Sequence, residues 1–272
     1  ATTPAPFGWP AGARRVGTAE AVAVPALLGG SALVHFAVPP PDEARWRGGV
    51  LFDDWVRRGI VGGTREARQR ARAGSDGLLY LSYALPLSDL GVAWLGRGSG
   101  DASWQMAVVD AEAYSLTLLL VTATKNLVAR ERPYARRCAA GAGSEFPCGE
   151  PDQNRSFMSG HSAFSATGAG LVCAHHLHLG LYGSRAWDGV TCGTAVAAAL
   201  ATGALRVVAD RHYASDVAVG QLVGLGSGYL LPTLVYHRGG RGSPPPAERG
   251  VSASILPSLG PSSAALTATG TF

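Results

Sequence analysis

The chain has 272 residues, 47% of them hydrophobic and only 15% charged, with 37 glycines and a net charge of +4 at neutral pH. That length suits one large domain with a substantial core, or two small ones. Lys125 is the only lysine, and the arginines are not interleaved with aromatic residues on one element. No nucleic-acid-binding motif accompanies them, so the basic balance does not point to nucleic acid as a partner.

In chain order, residues 1–20 open on the Pro- and Ala-rich "ATTPAPFGWPAG" and are expected to form a flexible segment. They carry no charged-then-apolar leader, as in an exported chain freed of its signal. A helical domain is expected over 21–237. Its apolar stretches are Ala21 to Pro39, Leu78 to Leu95, Ala107 to Ala129, Ser159 to Tyr182, Cys192 to Ala209 and Val217 to His237. Their length and their Ala, Leu and Gly content argue helices rather than strands. A polar amphipathic region lies between the first two. The tail, 238–272, is rich in Gly, Pro and Ser, and its end reads as a loop with a short hairpin. The expectation is an all-α bundle of about six core helices, with extended terminal segments and an active site at one end.

Val217 to Tyr236 is uncharged and long enough to cross a bilayer. However, Asp89, Asp110 and Glu112 interrupt two other segments, and a charge at mid-bilayer depth costs at least about 2.5 kcal/mol. The arginines from Arg45 to Arg72 would also lie on the side of the motif loops, against the positive-inside tendency. This favours a soluble bundle with an apolar interior, with a membrane-spanning one as the alternative. The four cysteines, Cys138, Cys148, Cys173 and Cys192, fit two disulfides in an oxidising compartment. The favoured pairing is 138 with 148, closing a short Gly- and Pro-containing loop, and 173 with 192.

Three stretches carry chemistry. In "KNLVARERPY", Lys125 and Arg132 are seven residues apart, two helical turns, so both are expected on one face near a helix end that Pro133 stops. In "RSFMSGHSAF", Ser159, Gly160 and His161 open a helix, whose free N–H groups and partial positive charge suit an anion. In "ALRVVADRHYASDVAVG", His212 and Asp216 are four apart, so the carboxylate is expected to reach an imidazole nitrogen and leave the other free as a nucleophile. Arg206 adds a cation that grips phosphate bidentately.

Lys125-x6-Arg132-Pro133, Ser159-Gly160-His161 and Arg206-x5-His212-x3-Asp216, in this order, resemble the tripartite signature of the type 2 phosphatidic acid phosphatase family. That family shares its helical core with vanadium haloperoxidases and bacterial class A acid phosphatases. The resemblance covers roughly residues 78–237. It implies that His212 attacks phosphorus to form a phosphohistidine, that Asp216 orients it, and that His161 protonates the leaving alcohol and activates water. It implies that Lys125, Arg132, Arg206, Ser159 and Gly160 bind the phosphoryl oxygens, with no metal in the scheme. Three cations and a helix N-terminus would stabilise transition-state charge, on which phosphoryl transfer depends most heavily.

Two positions depart from the family's pattern: Met158 stands where proline is usual, and Leu205 where serine is. The "HHLH" run of His175, His176 and His178 lacks a completing ligand cluster, and is expected at the surface or a lipid interface. Arg65, Arg68, Arg70 and Arg72 read as a solvated helix face, and Trp46, Trp55 and Trp104 as core edges. The function these readings support is a metal-independent phosphatase acting on a lipid phosphate, an isoprenoid diphosphate or a small ester, exported and soluble or membrane-associated. A haloperoxidase holding vanadate as a phosphate mimic in the same pocket is the alternative, and a non-catalytic anion binder is the third.

Overall fold

The computed structural model describes residues 7–141, 144, 146, 148–149 and 151–238, together with two strands in 252–271. The chain divides into two compact units, 1–240 and 241–272. Among the described residues, the first is built of helices and holds no strand. It contains α1 (Thr18–Ala37), α2 (Asp53–Ile60), α3 (Arg65–Gly91), α4 (Gly100–Val128), α5 (Ala135–Ala139), α6 (Gly160–Leu179), α7 (Arg185–Val208), α8 (Ala214–Leu225) and α9 (Leu231–Val235). In the second unit, β1 (Ser252–Gly260) pairs antiparallel with β2 (Ser263–Thr271), with Gly260 opposite Ser263.

Helix α3 starts well before the apolar run at Leu78. Thr64 caps it by accepting from the amide of Ala67, and no proline intervenes before Pro86, so the arginine-rich stretch continues one helix with the apolar one. Of its arginines, Arg68 is not solvated: it is buried and donates to the Gly62 carbonyl. Residues 7–17 are not loose either, since Trp9 and Ala13 pack with Leu171, Leu181 and Tyr236.

Helix α6 is the axis of the bundle. Fifteen of its twenty residues are buried, most of them Gly, Ala, Ser or Thr. Small residues let backbones approach closely, as helices do where lipid supplies no hydrophobic drive. A Cβ on Gly224 would lie 2.1 Å from the Ala163 carbonyl oxygen, and one on Gly228 2.1 Å from that of Thr167, so α8 touches α6 backbone to backbone. The Cys173–Cys192 disulfide joins α6 to α7, and Cys138–Cys148 closes the loop after α5, both as paired from the sequence.

Beside the buried apolar clusters, much of the apolar surface lies outside. Large side chains point outward: Phe36 is 84% exposed, Leu95 79%, Leu222 71% and Trp104 63%. Five helical stretches, Thr18–Ala37, Arg65–Gly96, Gly100–Val128, Arg185–Val208 and Ala214–Val235, are long and apolar enough to cross a membrane, with 11% to 44% of each apolar window buried. The acids that argued against spanning face inward. Asp89 and Asp110 are buried beside His175 and His176, with His175 Nε2 3.2 Å from Asp110 and His176 Nδ1 2.6 Å from Asp188. Glu112 accepts from the Tyr236 hydroxyl. Ion pairing in the interior lowers the cost that unpartnered charges would carry in lipid. It also corrects the placement of two histidines of the "HHLH" run, which lie in the core and not at an interface. Trp55 and Trp104 are exposed rather than core edges, whereas Trp46 stacks on a buried arginine.

Candidate active site

The three motif stretches meet at one end of the bundle, where α4 and α7 finish and α6 and α8 begin. Lys125 and Arg132 do not share a helical face. Helix α4 ends at Val128 because Ala129 takes a left-handed conformation (φ 49°), and the chain turns there. Arg132 lies beyond that turn and reaches back, with Nη1 3.0 Å from His212 Nε2 and Nε donating to the Asp152 carbonyl. Ser159 caps α6, accepting from the amide and the hydroxyl of Ser162. A Cβ at Gly160 would lie 3.5 Å from Lys125 Nζ, which puts the ammonium beside the start of α6.

His212 does not lie on α8, which starts two residues later, so the helical i, i+4 geometry does not apply. Its Nδ1 is 3.8 Å from Asp216 Oδ2, too long for a hydrogen bond, and 2.8 Å from the Ser156 carbonyl. Nδ1–H therefore donates to that carbonyl, and the lone pair sits on Nε2, facing Arg132. Asp216 instead accepts from the Ser156 hydroxyl at 2.6 Å and from the Tyr213 amide at 3.0 Å, fixing the loop on either side of the imidazole.

Behind Asp216 lies a network that sequence spacing gives no reason to single out. Arg130 is fully buried between the rings of Trp46 and Tyr213, 3.9 and 4.0 Å from their centroids. It donates to Asp216 at 2.5 Å and to Asp53 at 2.7 Å. Asp53, the first residue of α2, also accepts from the Ser215 amide and hydroxyl. On the other side Asp210 is gripped by Arg57 and Arg137, which pins the turn leading to His212.

Electrostatically the site is a cationic bowl. Burial, then Arg132, Arg206, Lys125 and Arg211, hold the His212 imidazole well below its ordinary pKa, so it is neutral. Arg211 itself is pushed down to about 10, chiefly by burial and then by Arg132. Asp152 is held below the usual carboxylate range: Arg132, Arg211 and Lys125 overcome the opposing effect of its burial. The Nε–H groups of Arg155, Arg206 and Arg211 are buried without a hydrogen-bond partner among the described residues. Buried donors of this kind are costly unless an acceptor arrives. Arg155, to which the motifs assign no role, and Arg211 thus join the three predicted cations.

Beside this bowl opens a cavity of about 280 Å³ lined by Arg72, Asp76, Leu79, Tyr80, His161, Arg206 and Arg211. The Leu205 side chain packs toward Gly74, while Arg206 takes hydrogen-bond acceptors from Ser75 and Asp76 on α3. Met158 is buried against Val121 and Ala163, and the Phe157–Met158 peptide is cis.

A bundle end that gathers a neutral histidine, guanidiniums with unpartnered Nε–H groups and a helix N-terminus has the chemistry to hold an oxyanion. Residues 110–239 match the family model described as the PAP2 superfamily, whose members are typically phosphoesterase hydrolases. The match runs from α4 to α9 and contains all eight predicted site residues, while Trp46, Asp53, Arg72 and Asp76 lie outside it. No curated protein and no solved structure matches the chain.

Proposed function

We propose that this chain is a membrane-embedded phosphatase that cleaves a phosphate monoester or diphosphate through a phosphohistidine on His212. The observation that carries the reading is the state of that imidazole. Nδ1–H is tied to a backbone carbonyl, Nε2 presents its lone pair, and Arg132, Arg206, Lys125 and Arg211 surround it. A phosphoryl group brought to Nε2 would take over the guanidinium hydrogen bonds that now go to the imidazole and to Asp76 and Asp152. In-line attack forms the P–N bond, and cations already in place stabilise the charge on the equatorial oxygens. Asp216 and Ser156 hold the loop, and His161 at the cavity wall handles the leaving-group proton.

The apolar exterior supports a lipid as carrier of the phosphate. Leu79 and Tyr80 line the cavity from α3, and Tyr80 is 69% exposed on the helix's outer side. A chain attached to the phosphate could leave the cavity along that surface without crossing water. Cys138 and Cys148 lie on the site end, so we place that end in the oxidising compartment, against the pull of its arginine-rich loops toward the cytoplasm. The reading is tested by assaying purified protein on p-nitrophenyl phosphate and on long-chain lipid phosphates and diphosphates, beside halide oxidation with added orthovanadate. Hydrolysis that disappears in His212→Ala supports it. Halide oxidation without hydrolysis overturns it in favour of the peroxidase.

A further inference from the structure

We infer that Asp76 is the positioning residue of His161: it keeps that imidazole turned into the cavity as a proton donor and stands in for the substrate until substrate arrives. The inference rests on the phosphatase reading above. A carboxylate in a phosphate cavity needs a reason, because it repels the ligand the surrounding cations attract. Asp76 Oδ1 lies 2.8 Å from His161 Nε2 and 3.3 Å from Arg206 Nη1, and Oδ2 lies 3.8 Å from Arg72 Nε. One carboxylate thus spans the proposed proton donor and two guanidiniums. A bound ester would span the same groups, with its leaving oxygen on Nε2 and its phosphoryl oxygens on the arginines.

Two consequences follow from this arrangement. Burial, then the Arg206 charge and to a lesser degree Lys125, pull the pKa of the His161 imidazole down to about 4; Asp76 opposes them, as the negative charge of an arriving phosphate would, and selects the ring orientation. The cations, which would otherwise repel one another across the cavity, are kept in place for the phosphate. When the ester enters, Arg206 and Arg72 pass to phosphoryl oxygens and the leaving oxygen takes the place of Asp76 Oδ1 on Nε2. The His212 Nε2 lone pair then forms the P–N bond while the P–O bond to the leaving group breaks. The electron pair left on that oxygen takes the Nε2 proton of His161. In the second half, neutral His161 accepts a proton from the water whose oxygen displaces His212 from phosphorus. Asp76 keeps its charge throughout and, once displaced from Nε2, exchanges no proton with the substrate.

The competing view is that Asp76 is only an ion-pair strut holding α3 against α6 and α7. The two views differ in leaving-group dependence, because p-nitrophenolate leaves without a proton and an alkoxide does not. Full-length wild type, Asp76→Asn and Asp76→Glu are compared in detergent on p-nitrophenyl phosphate and octyl phosphate, and orthovanadate binding is measured by calorimetry. In Asp76→Asn, kcat on octyl phosphate is expected to fall at least about tenfold further than kcat on p-nitrophenyl phosphate. Orthovanadate should bind several-fold more tightly, and Asp76→Glu should restore part of the octyl phosphate rate. An equal fall on both substrates, or weaker orthovanadate binding, overturns the inference. Failure of the phosphatase reading would look different, with wild type hydrolysing neither ester. Unchanged orthovanadate affinity in Asp76→Asn would then still count against the stand-in role.

Discussion

His212 donates from Nδ1 to the backbone carbonyl of Ser156, while the acid expected to orient it, Asp216, stands 3.8 Å away and holds Ser156 instead. The orienting carboxylate acts through a backbone strut. Ser156→Ala keeps the carbonyl but loses the hydroxyl that Asp216 grips, so kcat is expected to fall about fivefold, equivalent to one net hydrogen bond of ~1 kcal/mol. Asp216→Asn should cost far more, because it also leaves Arg130 and the Tyr213 amide ill-paired. Steady-state kinetics on the two variants checks this. A fully active Ser156→Ala with an inactive Asp216→Asn would favour direct contact between acid and imidazole.

The cationic surroundings of His212 set its titration. Its pKa is lowered below 6.5, so the neutral, nucleophilic form is present above the lowered value and is lost only when pH falls through it. NMR of ring-labelled protein, with the His212 signal assigned by its loss in His212→Gln, is expected to show no titration of this imidazole between pH 8 and pH 6.5. A midpoint within that window would contradict the electrostatic account of the site.

Arg130 links the segment before the matched stretch to the nucleophile loop, stacked between Trp46 and Tyr213 and paired with both Asp53 and Asp216. Breaking a buried ion pair by removing one partner leaves an uncompensated charge and costs about 3–5 kcal/mol. Arg130→Met should therefore lower the thermal midpoint sharply. Arg130→Lys should rescue it only in part, since a single ammonium cannot form both forks or stack on two rings. Thermal unfolding in detergent measures this, and a midpoint unchanged in Arg130→Met would remove the network from the account.

Placing the site end in the oxidising compartment makes a labelling prediction. Intact cells treated with an impermeant reductant and then an impermeant maleimide should be labelled at Cys138 and Cys148. Cys173 and Cys192, which join α6 to α7 within the bundle, should be spared. Labelling of the first pair only after lysis would put the site on the other side.

The helices are legible in the sequence because apolar length and Ala, Leu and Gly content fix them locally, even though Pro25 and Pro86 lie inside α1 and α3. The eight motif residues are legible because each lies in a short stretch whose spacing survives whatever the rest of the chain does. What sequence does not encode is long-range. Asp76 meets His161 across 85 positions and Arg130 meets Asp53 across 77, and no periodicity specifies either contact. The helical reading of Lys125 and Arg132 fails at Ala129, where one left-handed residue redirects the chain. A soluble bundle is favoured only while Asp89 and Asp110 count as charges in lipid. Of their partners on α6, His175 lies 65 positions from Asp110 and His176 lies 87 from Asp89.

The central claim is that His212 carries the phosphoryl group, and trapping that adduct tests it most directly. Protein mixed with an excess of p-nitrophenyl phosphate is quenched in alkali within milliseconds, digested and mapped by mass spectrometry. The account predicts an alkali-stable, acid-labile phosphate on the peptide containing His212, absent in His212→Ala and accumulating when His161 is changed to Asn. Turnover with no such adduct, or an adduct on another residue, would contradict it.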